Sequence, residues 1–215
     1  RVLLGEAAPG GRASRVLLAT DAFAGLEPGI EAALRPAIRH VETWLGAAEP
    51  VTVSDDGLEA WYRVFRTLQG AQAWAAHGEW IESAQPRLGP LLRERLQFVK
   101  TITPDEVGAA EERRRAIRNR LDGLLGTATV LILPSAAGVA PRVDATVAEH
   151  EAVRARVIPI TCIAGLGGLP QVSLPLARLD AGPVGLSLIA PQGRDGLLLD
   201  LVAEGIGELR QPAAP

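Results

Sequence analysis

Apolar positions along this chain switch between a period of two and a period near four, and the switches mark out its elements. Arg15 to Thr20 (RVLLAT) and Val51 to Ser54 (VTVS) read as strands, with an amphipathic helix between them from Pro28 to Trp44. Asp55 or Asp56 can cap a long helix from Leu58 to about Ile81, whose apolar positions include Trp61, Phe65, Leu68 and Trp74. Pro86 and Pro90 interrupt the pattern, and Leu91 to Val99 resumes it. Thr103-Pro104-Asp105-Glu106 is a capping signature for a helix running to about Leu125, closed by Gly126. Val130 to Leu133 is apolar at every position, as a strand covered on both faces requires.

The C-terminal third departs from this alternation. Between Arg156 and Arg178 the chain runs 21 residues without a charge. A bilayer-spanning helix needs about 20 apolar residues, but Pro159, Pro170 and Pro175 and the intervening glycines argue against one. A buried interior fits better. Ile158 to Ile163 ends a packed element, Ala164 to Pro170 reads as a glycine loop, and Gln171 to Leu176 as a strand. Asp180 to Pro183 turns the chain into a partner strand, Val184 to Ile189. Asp195 opens a last helix carrying Leu197, Leu198, Leu201 and Val202. Strands joined partly by helices and partly by a hairpin predict an α/β fold, a mixed β-sheet flanked by helices in one domain over residues 1–215.

Composition narrows the classes. With 47% hydrophobic and 22% charged residues the chain is neither disordered nor membrane-embedded. A net charge of −3 gives no basic field for nucleic acid, and the arginines from Arg113 to Arg120 sit beside Glu111 and Glu112 as a solvated helical face. A single cysteine rules out an intrachain disulfide framework, and the default setting is cytoplasmic. Three scattered histidines and one cysteine have no metal-ligand spacing, so no metal is expected. Gly165, Gly167 and Gly168 do not form a dinucleotide fingerprint, because Pro170 takes the sixth place. Cys162 reads as a small buried hydrophobe rather than a nucleophile. Ser135 reads as a loop hydroxyl that bonds backbone, with a triad of Ser135, His77 or His150 and an aspartate as the alternative.

Four passages in order carry a further signal: TVLILPSAAGVAP (Thr129 to Pro141), TCIAGLGGLPQVSLP (Thr161 to Pro175), GPVGLSLI (Gly182 to Ile189) with Pro191, and DGLLL (Asp195 to Leu199). Their order and spacing resemble the C-terminal part of the amidase signature family, serine amide hydrolases with a Ser, Ser, Lys triad. The resemblance extends from about Arg15 to the end. It implies acyl transfer without metal or organic cofactor, on a small-molecule amide. It also implies that Thr161, Cys162 and Gly165, with the loop after Pro134, form the far wall of the substrate pocket. Arg95 matches a position where glutamine-handling members carry an arginine for a substrate carboxylate. Ile158 and Gly165 replace an acidic residue and an asparagine of those members, which favours a neutral or carboxylated small amide, carbamoyl or ureido compound over an amino-acid amide.

The family's Gly/Ser-rich nucleophile loop has no counterpart among Ser14, Ser54, Ser83, Ser135, Ser173 and Ser187, and the lone lysine, Lys100, lies outside the position of the catalytic one. No residue of this chain is therefore assigned a catalytic role. Arg1 opens as if in mid-helix, so the chain reads as the C-terminal half of an amidase whose partner is a complementary N-terminal catalytic half. A homo-oligomer is left open, and neither nucleic acid nor membrane is expected as a partner. The rival readings are a non-catalytic amidase-like subunit or pseudoenzyme that binds a partner, and a free-standing ligand-binding domain.

Overall fold

The computed structural model describes residues 12–206. In chain order these form β1 (Arg15–Ala19), α1 (Thr20–Phe23), α2 (Ile30–Leu45), β2 (Glu49–Val51), α3 (Leu58–Ala84), α4 (Pro90–Lys100), α5 (Pro104–Leu125) and β3 (Thr129–Pro134). There follow α6 (Val147–Gly167), β4 (Gln171–Leu179), β5 (Gly182–Ile189) and α7 (Asp195–Leu201), which runs on into a π turn, Val202–Ile206.

The strands form one mixed sheet in the order β2-β1-β3-β5-β4. β1 pairs in parallel with β2 and β3, whereas β5 pairs antiparallel with both β3 and β4. All six residues of β3 are buried, as its unbroken apolar run requires of the middle strand. One face packs Leu17, Leu131, Leu133 and Ile189 against Trp61 of α3, Leu121 of α5 and Ile163 of α6. The other packs Val16, Val130, Ile132 and Leu188 against Leu34 of α2 and Leu197 of α7. β4 is an edge strand and is bulged between Leu174 and Ala177, where Pro175 brings no N–H to the ladder. Among the described residues no helix is long and apolar enough to cross a membrane.

Three local expectations are corrected. β2 ends at Val51, because the backbone beyond it bonds to side chains instead of a ladder: both Asp21 oxygens accept, from Val53 N–H at 3.0 Å and Ser54 N–H at 2.9 Å. Arg120 Nη2 donates to Thr52 C=O at 2.7 Å, and its Nε to Val53 C=O at 2.5 Å. Neither Asp55 nor Asp56 caps α3, whose N-cap is Gly57. Asp55 pairs with Arg120 instead, and Asp56 with Arg113 and the Ser54 hydroxyl. Finally, the stretch from Ala164 is not a loop: α6 continues through Gly165 and Gly167 and stops at Gly168, left-handed at φ +66°. Burial of Ile163, Ala164 and Leu166 holds those two glycines in helix.

Candidate functional site

Of the expected pocket wall, Thr161, Cys162 and Gly165 all lie on α6. Thr161 and Gly165 are four residues apart, share one face and are exposed. Thr161 Oγ1 donates to the Ile158 carbonyl at 3.4 Å. A Cβ built on Gly165 would lie 3.6 Å from Phe65 of α3, an ordinary contact, so this glycine is not held by a close approach. Cys162, about 100° round the helix from Thr161, is 1% exposed and lies in the core with Trp61 and Leu133. Burial pushes its thiol up to about 12. This burial agrees with its reading as a small buried hydrophobe.

Arg95 is not brought to Thr161. It sits on α4 and pairs with Glu151 near the start of α6, ten residues and about 15 Å of helix before Thr161. This pair lines a cleft of ≈ 510 Å³ between α3, α4 and α6.

Ser135 starts the loop after β3, and that loop is tied down at several points. Its N–H donates to Gly185 C=O at 2.8 Å, and Glu27 N–H donates to Ala137 C=O at 2.8 Å. The Glu27 carboxylate is in turn held by Arg156 of α6 at 2.6 Å. The Ser135 hydroxyl bonds not to backbone but to Ser187 Oγ at 2.8 Å. Ser187 is fully buried and also meets Ser173 Oγ at 2.8 Å and Gln171 Nε2 at 3.0 Å. Ser187 has one proton and accepts that of Gln171, so of Ser135 and Ser173 one accepts from Ser187 and the other donates to it. Sequence reading missed this chain of hydroxyls, although polar Ser173 and Ser187 interrupt two apolar strands. His77 and His150 lie exposed on α3 and α6, and neither bonds Ser135, so the histidine triad is set aside. Among the described residues no group of three or more His, Cys, Asp or Glu could hold a metal ion.

Lys100, the sole lysine, is paired with Glu82 and lies 5.6 Å from the centroid of the Trp74 ring. It belongs to the α3–α4 surface and has no serine partner there.

The amidase family model matches residues 77–199. Amidase 1 of Arabidopsis thaliana is 33% identical over 171 residues, 78% of this chain and 39% of its own length. Amidase 1 of Oryza sativa subsp. japonica is 37% identical over 142 residues, 66% of this chain and 33% of its own. The match thus spans 39% and 33% of the length of these two relatives. A crystal structure of an amidase superposes with a TM-score of 0.78 at 24% identity, covering 95% of this chain and 48% of the other. A mixed sheet of this order, a family model matched across more than half the sequence and a curated amidase aligned over most of it lead to one conclusion: this chain belongs to the amidase signature family.

Proposed function

We propose that this chain is part of an amide hydrolase that cleaves a carboxamide, carbamoyl or ureido C–N bond through a serine acyl-enzyme. The observation that carries the reading is the identity to Amidase 1 over 78% of the chain. In this mechanism a serine hydroxyl attacks the carbonyl carbon, and backbone N–H groups hold the resulting oxyanion. The C–N bond breaks as the second serine and a lysine pass the nucleophile's proton to the departing amine. Water then cleaves the ester, releasing the acid and restoring the serine.

Nucleophile, second serine and lysine come from a complementary catalytic segment outside these 215 residues. Two features support that assignment: Lys100 is engaged by Glu82, and among the described residues the Ser135 hydroxyl bonds Ser187 of the sheet and no histidine or lysine. This chain contributes a rigid wall, made by the Thr161–Gly165 face of α6 and the anchored loop after β3. The α6 part of that wall is helical through Gly165, and Cys162 backs it from the core.

The test compares the chain alone with the chain joined to the upstream segment of its reading frame, on aryl, aliphatic and ureido amides. The joined protein is expected to turn over and to form an adduct with a fluorophosphonate on a serine outside this chain, while the chain alone is inactive. Turnover by the chain alone that disappears with Ser135→Ala would overturn the assignment. A joined protein that folds, carries the triad and hydrolyses nothing would favour the partner-binding subunit.

A further inference from the structure

We propose that the cleft between α3, α4 and α6 binds a small arenecarboxylate, a flat apolar body bearing one carboxylate. Its ≈ 510 Å³ lies within the range of about 300–1,000 Å³ usual for small-molecule sites. One wall is apolar: Leu92 and Phe98 of α4 are 48% and 39% exposed, although both line a concave surface. The charged residues of the lining are mostly positive. Arg66, Arg95 and Arg154 line the cleft with a single carboxylate, Glu151, and that carboxylate is engaged by Arg95. Among the described residues neither Arg66 nor Arg154 forms an ion pair, which leaves two arginines of the lining without a carboxylate.

Arg66 shows how ring and charge would share the space. Its guanidinium carbon lies 3.8 Å from the centroid of the Phe98 ring. Stacking occupies the face of the guanidinium and leaves its in-plane N–H groups for an acceptor. A carboxylate held between Arg66 and Arg154 would carry an aryl group back over the apolar wall of α4. An anion without a ring would leave that wall wet, and a ring without a charge would leave the guanidiniums uncompensated. The inference does not depend on the hydrolase reading, since binding needs no nucleophile.

Isothermal titration of the 215-residue chain with 2-naphthoate, 2-naphthamide and acetate tests it. Saturable one-to-one binding of 2-naphthoate is expected, at least about tenfold tighter than either control, the scale of one charge-assisted hydrogen bond. Arg154→Gln and Phe98→Ala should each weaken it by about tenfold, with melting curves run beside them. If either variant melts early, Arg66→Gln replaces it and should show the same loss. Arg178→Gln, an exposed arginine on β4, should change nothing. The proposal fails if 2-naphthoate gives no saturable heat to about 5 mM, if 2-naphthamide binds equally well, or if Arg178→Gln weakens binding as much as Arg154→Gln.

Discussion

Single residues on α6 show how little a glycine pattern says until its neighbours are known. Gly165 and Gly167 look alike in sequence, yet a Cβ on Gly165 meets only Phe65 at 3.6 Å, whereas one on Gly167 would lie 2.8 Å from both Leu121 and Leu169. Gly165→Ala should therefore stabilise the protein by up to about 1 kcal/mol through helix propensity, and Gly167→Ala should destabilise it, both read by thermal melting. Cys162 allows a second test at this scale. Its thiol should stay unlabelled by a disulfide reagent at pH 8 until denaturant is added. Above the ordinary thiol value of 9.0 the unfolded chain loses a proton that the folded chain keeps up to about 12. Stability should thus fall as pH rises through that window, by at most about 1.4 kcal/mol per pH unit, and Cys162→Ala should remove this share of the slope. The burial of Cys162 was legible from its residue type. The pairing of Arg95 with Glu151 was not, because 56 residues separate the partners and no local pattern joins them.

Helices with local start signals were the most legible elements. Thr103 and Thr146 each form a full capping box: the threonine hydroxyl accepts from the N–H of Glu106 or Glu149, whose carboxylate accepts from the threonine N–H in return. These backbone hydrogen bonds, with those from the threonine hydroxyls, hold Glu106 and Glu149 below the ordinary carboxylate value of 4.5. Because the folded values are depressed, the stabilisation is present above 4.5 and is lost as pH falls through the folded ones. Thr103→Ala and Thr146→Ala should each cost about 1 kcal/mol at neutral pH, measured by urea unfolding, and less in acid. The first box was visible as Thr-Pro-Asp-Glu; the second went unread in the stretch before the uncharged run. Elements were misread where the deciding partner is distant in sequence. Nothing within VTVS reveals that Asp21 and Arg120 take the backbone groups a longer strand would use, and nothing within AGLGGLP reveals the core that keeps it helical.

At the scale of the whole molecule, the mixed sheet and its flanking helices were legible because each element carries its own period. Strand order was not, since pairing joins residues far apart in sequence. β1 lies against β3 with Arg15 opposite Thr129, 114 residues later, and α2, β2, α3, α4 and α5 all intervene. Closing a loop of that length costs little in stability, because each doubling adds only about 0.6 kcal/mol, but the search for the contact slows folding. The local pieces, α3 with α4 and the β4–β5 hairpin, can form early, and the buried middle of the sheet must wait for its first strand. During that wait β3, apolar on both faces, has no cover on the β1 side. The strand that gives the finished protein its centre is therefore the segment most exposed to misassembly while the chain is still folding.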